Sequence, residues 1–178
     1  MTGHFAFFDT NEGRCAIAWT TNGIAGLQLP EADEAALRAA MARKHAGFTE
    51  SEPTKAASAA IAGIRALLSG EGPALAEITL DMSGIPPFHR QVYEEARRIL
   101  PGRTRTYGEL AHTLGKPGAA RAVGQALGAN PFALIVPCHR VLAAGGRLNG
   151  FSAFGGIHTK QRLLEIEGAL PRTADSLF

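Results

Sequence analysis

The sequence predicts an α/β protein in two parts: a small N-terminal α/β domain over residues 1–85 and a mostly helical domain over 86–178. Three observations predict it. Short apolar runs broken by Asn-Glu-Gly and Thr-Asn-Gly open the chain, and alanine-rich stretches with apolar residues at helical spacing follow. At Ser83-Gly84-Ile85-Pro86-Pro87, turn residues precede a change in composition. With 178 residues, 46% of them hydrophobic and 19% charged, the chain can bury the core of one domain or of two small ones.

The elements follow in order. HFAFFDT, GRCAIAWT and GIAGLQLP alternate and are separated by turn signals, so they predict an antiparallel meander. Residues 31–45 and 54–69 begin with acidic or Thr residues suited to a helix start and predict two helices. ALAEITLDMS, residues 74–83, reads as a further strand. Past the boundary, PFHRQVYEEARRIL places Phe88, Val92, Ala96 and Ile99 on one helical face, with prolines at its start. Thr106 and Glu109 have capping-box spacing and predict a helix from Tyr107 to about Leu114, which Gly115-Lys116-Pro117 breaks. A second helix, from about Gly118 to Ala129, puts Ala122, Val123, Ala126 and Leu127 on its buried side, and the pair forms a helix-turn-helix candidate. Ala133–Val136 reads as a short buried strand ending in Pro137-Cys138-His139-Arg140-Val141.

Composition excludes several classes. No stretch approaches the roughly 20 apolar residues of a membrane span, and the start, MTGHFAFFDTNEGR, lacks the basic opening and apolar run of a signal peptide. The expectation is a cytoplasmic protein with reduced thiols and no membrane partner. Cys15 and Cys138 are the two cysteines, too few for a disulfide framework or a multi-cysteine zinc site. His4 and His45 read as surface or satisfied histidines, so no metal is expected. The net charge of +2 is unevenly divided: residues 1–85 carry six Lys/Arg against ten Asp/Glu, whereas 86–170 carry eleven against five. A basic second half suits a polyanion such as nucleic acid, and also fits an ordinary solvated surface.

Two features point to chemistry. On the outer face of the second predicted helix lie Gly118, Arg121, Gln125 and Gly128, flanked by Ala119 and Gly124. Reading helices of the major groove carry several long polar side chains, whereas this face is nearly bare. Two readings fit it: close approach to a minor groove with Arg121 entering the base stack, or small residues that merely allow tight packing. The second feature is Cys138 between Pro137 and His139. Thiolate is the reactive form of cysteine, and cationic or basic neighbours lower its pKa; a buried structural cysteine fits the pair as well.

The block TYGELAHTLGKPGAARAVGQALGANPFALIVPCHRVLAAGGRLNGFSAFGGIHTKQRLLEIEG resembles the O6-alkylguanine-DNA alkyltransferases, the methylated-DNA–protein-cysteine methyltransferase family. The resemblance rests on PCHR, on ARAVG, on an Asn-Pro before the cysteine and on the terminal Glu-Gly, and spans about residues 86–170. It implies a ribonuclease-H-like N-terminal domain and irreversible, single-turnover transfer of an alkyl group from O6-alkylguanine in duplex DNA, with the nucleotide flipped out. Cys138 would be the acceptor, His139 its base through a bridging water, and Glu167 the holder of the imidazole. Asn130 would tie the recognition helix to the cysteine segment. Tyr107 would donate to the flipped guanine, and Val136, Phe151 and Ser152 would shape its pocket. Arg121, with Ala119, Gly124, Gln125 and Thr106, would meet DNA. No cofactor is implied, and a monomer is the default. Phe151 stands where some relatives carry tyrosine, and the loop through Gly156 is slightly long. The alternatives are a lesion sensor without the thiol, which Cys138 opposes; a thiol hydrolase, which leaves Arg121 unexplained; and a helix-turn-helix repressor, whose reading helix would be more polar.

Overall fold

The computed structural model describes residues 2–72 and 75–172. Its fold is mixed α/β and divides into two compact units: the chain up to Ser83 together with Pro131–Ile135, and Gly84–Asn130 together with the chain from Val136 onward. Where the sequence predicts a single cut after residue 85, the structure returns a five-residue segment to the first unit.

In the first unit, β1 (His4–Thr10), β2 (Gly13–Thr20) and β3 (Gly23–Gln28) form the expected meander. The β1–β2 register closes on Thr10 opposite Gly13, leaving Asn11-Glu12 as a two-residue turn. Helix α1 (Glu34–Lys44) starts where the Asp33 carboxylate accepts the Ala36 amide at 2.8 Å and ends on Arg43 and Lys44, charges that suit each end of its dipole. Its Leu37 and Met41 pack on Ala16 and Ala18 of β2. After the short β4 (Thr49–Glu50), parallel to β1, helix α2 (Lys55–Leu68) is capped by Thr54 and buries Ala57, Ala60, Ile61, Ile64, Leu67 and Leu68, the stripe its period predicts. The sheet order is β3-β2-β1-β4.

Residues 74–83 do not form the predicted strand; Ala74 lies outside the described residues. Leu80 alone bridges to Ile24, with Asp81 N–H donating to the Ile24 carbonyl at 2.7 Å. The Asp81 carboxylate accepts from the Thr20 hydroxyl and the Ser83 amide. A side chain that bonds the backbone two residues on makes a turn and stops the ladder. Within the same unit, Phe132 bridges to Leu27 and the Pro131 carbonyl accepts the Leu27 amide at 2.9 Å.

In the second unit, α3 (Pro87–Ala96) buries Val92, Tyr93, Glu95 and Ala96. Helix α4 (Tyr107–Thr113) follows β5 (Arg105–Thr106) and opens with the complete capping box: the Thr106 hydroxyl accepts the Glu109 amide at 3.1 Å, and the Glu109 carboxylate accepts the Thr106 amide at 2.6 Å. Gly115, at φ +70, reverses the chain, and α5 (Ala120–Gly128) buries Val123, Ala126 and Leu127. The Tyr93 hydroxyl donates to the Ala126 carbonyl at 2.8 Å and ties α3 to α5. Strand β6 (Val141–Leu142) pairs parallel with β5, and α6 (Ile157–Ile166) ends the described fold. Among the described residues no helix is long and apolar enough to cross a membrane, and no three His, Cys, Asp or Glu side chains gather as a metal group.

Candidate active site

Ala133–Val136 is the second expectation that fails. The segment is irregular: Ile135 N–H closes on the Ala133 carbonyl at 2.8 Å, and Leu134 stands at φ +65, in the left-handed region that a branched residue seldom adopts. Leu134, Ile135 and Val136 are buried as an inner strand's side chains would be, which is why the sequence reads as one. The cysteine therefore lies not at a strand end but at the start of a 3-10 turn, Cys138–Arg140, in which the Cys138 amide donates to the Val136 carbonyl and the Arg140 amide to the Pro137 carbonyl. This tight turn buries three reactive or charged side chains in succession: Cys138 is 8% exposed, His139 0% and Arg140 2%.

Each finds a partner by chemistry. Glu167, the residue on which α6 ends, takes His139 Nε2 at 2.8 Å on Oε1. Arg140 grips both oxygens of the same carboxylate, Nε to Oε2 at 2.9 Å and Nη2 to Oε1 at 2.7 Å, and spends Nη1 on the Ile99 carbonyl. Burial would raise the Glu167 pKa, but His139 and Arg140 outweigh it and hold the carboxyl at about 2. Burial lowers the His139 pKa against the opposing pull of Glu167, so the imidazole is neutral near pH 7. A carboxylate only accepts; Nε2 therefore carries the ring proton and Nδ1 is the basic nitrogen. Nδ1 is buried without a hydrogen-bond partner among the described residues.

The thiol is held from other sides. Asn130, two residues beyond α5, donates from Nδ2 to the Val136 carbonyl at 3.0 Å and to Cys138 Sγ at 3.5 Å. Burial pushes the thiol pKa up; Asn130, Lys160 and the amides of Cys138 and His139 pull it down. Tyr107, first residue of α4 and fixed there by the capping box, has its phenol pushed up by burial and then by Cys138, which keeps it a donor.

Cys138 opens onto a cavity of about 740 Å³. Of the residues singled out from the sequence, Thr106, Tyr107, Arg121, Gly124, Gln125, Phe151 and Ser152 line it with the cysteine. His139, Glu167 and Asn130 are not in its wall, though Asn130 reaches the sulfur. Val136 is fully buried and offers Asn130 its carbonyl rather than a wall to the cavity, and Ala120 stands in the wall where Ala119 does not. Gly124 faces the Tyr107 ring, where a Cβ would make ordinary contact at 3.8 Å. Arg121 and Gln125 are exposed, and Arg121 has no hydrogen-bond or ion-pair partner among the described residues.

A sequence model of the family described as "6-O-methylguanine DNA methyltransferase, DNA binding domain" matches residues 87–169. The methylated-DNA–protein-cysteine methyltransferase of Mycolicibacterium paratuberculosis is 45% identical over 121 residues, which are 68% of this chain and 70% of that one. The chain belongs to the methylated-DNA–protein-cysteine methyltransferase family. The Salmonella typhimurium methyltransferase is 50% identical over 88 residues, 49% of this chain and 50% of its own. Among solved structures of the family, the Mycobacterium tuberculosis OGT–DNA complex superposes with a TM-score of 0.77 at 35% identity over 93% of each chain. The O6-methylguanine-DNA methyltransferase of Pyrococcus kodakaraensis gives 0.69 at 29% identity, covering 92% of this chain and 99% of its own.

Two residues at this methyltransferase-family site escape a reading of the sequence. Arg140 stands in the quoted PCHR, but nothing local shows that it serves Glu167. Lys160 is fully buried on α6, in a stripe with Leu163 and Leu164; a lysine in step with apolar residues is a signal the sequence does contain.

Proposed function

We propose that this protein repairs double-stranded DNA by taking the alkyl group from O6 of an alkylated guanine onto Cys138, once per molecule. The observation that carries this reading is a cysteine at the wall of a cavity, followed in the same tight turn by a histidine whose unpaired ring nitrogen is the basic one, with the opening lined by a bare helix whose Arg121 has no partner among the described residues. The N-terminal unit we read as ribonuclease-H-like, on the strength of its 3-2-1 meander with a short parallel β4 beside β1. Binding of DNA and alkyl transfer we assign to the second unit, and an intracellular setting suits its free thiols.

We assign the roles from the family resemblance, and the geometry of the site supports them. His139 Nδ1 takes the Cys138 proton through a bridging water, and Glu167, steadied by Arg140, keeps the other ring nitrogen protonated and stabilises the imidazolium. Sulfur attacks the alkyl carbon as the bond from that carbon to O6 breaks, and the electron pair leaves on the guanine. Tyr107 donates a hydrogen bond to N3 as that anion forms, and Ser152 offers its hydroxyl near O6, with Phe151 as an apolar wall. The thioether has no second nucleophile to remove it, so the protein is consumed. O6 and its substituent point into the major groove of a stacked duplex, and the cysteine is reached through a cavity, so the nucleotide must leave the stack. We read α4 and α5 as a helix-turn-helix whose nearly bare face, with Ala119 and Gly124 and the single amide Gln125 beside Thr106, allows close approach to a minor groove while Arg121 fills the gap.

Mass spectrometry after mixing with a duplex containing O6-methylguanine tests this. One methyl per protein on Cys138, and none in Cys138→Ala, is the expected result; repeated turnover or no adduct under reducing conditions refutes it.

A further inference from the structure

Lys160 is a buried charged side chain near the cavity that the mechanism leaves idle. It is fully buried, and its Nζ donates to the Val141 carbonyl at 2.6 Å and to the Asn149 carbonyl at 3.2 Å. Among the described residues no carboxylate lies within ion-pair distance of it. Carbonyl oxygens are neutral, and a desolvated ammonium with only neutral acceptors is costly. All its surroundings belong to one place. Val141 ends the turn that begins at Cys138, Asn149 lines the cavity, and Tyr107, whose ring centre is 5.8 Å from Nζ, lines it too.

We propose that Lys160 is a positioning residue of the transfer reaction: its ammonium, pinned by the Val141 and Asn149 carbonyls, is the cationic partner of the Cys138 thiolate. This rests on the reading of Cys138 as acceptor. The other groups facing the sulfur are Asn130, the amides of Cys138 and His139, and the neutral phenols Tyr107 and Tyr93. The His139 imidazole, which serves the thiol through a bridging water, is neutral until it takes the Cys138 proton; none of the others is a cation, and behind them the Arg140 charge is spent on Glu167. The charge of Lys160 and that of the thiolate each lower the cost of burying the other. The same lysine also fixes the cavity-lining stretch beginning at Asn149 against β6, so charge and wall are set by one side chain.

The test is the pH dependence of Cys138 carboxamidomethylation by iodoacetamide, read by mass on the whole protein, in wild type, Lys160→Met and Lys160→Arg. In Lys160→Met the midpoint rises by about one pH unit, so the reaction below it slows about tenfold while the alkaline plateau stands; Lys160→Arg recovers part of the shift. A wild-type midpoint in Lys160→Met overturns the proposal, because a purely structural lysine changes the rate without moving the titration. If Lys160→Met does not fold, NMR titration of the wild-type lysine side chains before and after methylation of Cys138 decides. Coupling is reciprocal, so loss of the thiolate lowers the Lys160 midpoint by about the same one unit, and an unmoved midpoint overturns the proposal. Failure of the wild type to take a methyl group from duplex DNA is a different result, and overturns the assignment of Cys138 itself.

Discussion

Cys15 lies in the middle of β2 opposite Phe8, wholly buried, and burial drives its thiol up to about 12 against a hydrogen bond from Thr10. Cys138, in the other unit, is nearly as buried, and burial drives its thiol up too. What differs is the company. Around Cys138 stand an amide donor, a buried ammonium and an adjacent imidazole whose own proton is fixed by Glu167; the charge that acts on the Cys15 thiol is that of Asp9, which opposes ionisation. Burial by itself makes a thiol inert. Burial with a base and a cation makes a nucleophile that water cannot swamp, and this is the property on which a single irreversible transfer depends.

The largest expected effect comes from making Cys138 more like Cys15 at the carboxylate. Glu167→Gln leaves the Arg140 guanidinium, 2% exposed, without its anion, a loss of about 3–5 kcal/mol in stability by urea unfolding. In the fraction that folds, His139 loses the negative charge that fixes its tautomer and stabilises its imidazolium, and single-turnover methyl transfer slows by about 10²–10⁴. A folded Glu167→Gln protein with the wild-type rate breaks the contrast, since Cys138 would then react without the carboxylate that supports its base.

Acid separates the two regions next. The Glu167 carboxyl, ordinarily near 4.5, is held at about 2, so in that window the unfolded chain binds a proton that the folded one refuses. Stability contributed by this group is full above pH 4.5 and is lost as pH falls toward 2, on the order of 3 kcal/mol. His139, lowered by burial, acts with the same sign from pH 6.5 downward. Urea midpoints measured from neutral pH to the acid limit should fall in both windows, and in Glu167→Gln the lower of the two declines should vanish.

Asn130→Ala removes the donor that Val136 and Sγ share, at about 1–3 kcal/mol for the unsatisfied buried carbonyl. Methyl transfer slows with it, and the alkylation midpoint of Cys138 rises. A midpoint that stays put assigns Asn130 to the backbone alone.

Much of this contrast is visible in the sequence, and the gaps have physical causes. The meander, α1 to α3 and the Thr106–Glu109 cap follow from period and local side-chain bonds, which need no distant partner. Residues 74–83 and 133–136 alternate or run apolar in the same way, yet a strand exists only if another strand accepts it, and Asp81 and the left-handed Leu134 end the pairing first. Cys138, His139 and Glu167 come from resemblance to a family, whereas the fork of Arg140 on Glu167 depends on where the turn and the end of α6 meet. Lys160 could have been found from its place in the Leu163–Leu164 stripe, had a buried lysine been given more weight than a solvated one.

Cys15→Ala carries the smallest effect and tests the inert side of the comparison. Loss of one buried heavy atom from a packed strand costs about 1 kcal/mol, read as a small drop in Tm. The rate and stoichiometry of methyl transfer stay at wild-type values. The variant should also change the alkaline limb of stability. In the wild type the folded state keeps the Cys15 proton up to about 12 while the unfolded thiol loses its proton near 9, so stability falls as pH rises through that window. Without Cys15 that slope flattens by up to about 1.4 kcal/mol per pH unit. An unchanged alkaline slope means that the Cys15 thiol ionises in the folded protein as readily as in the unfolded one, and the distinction between the two cysteines would then rest on access alone.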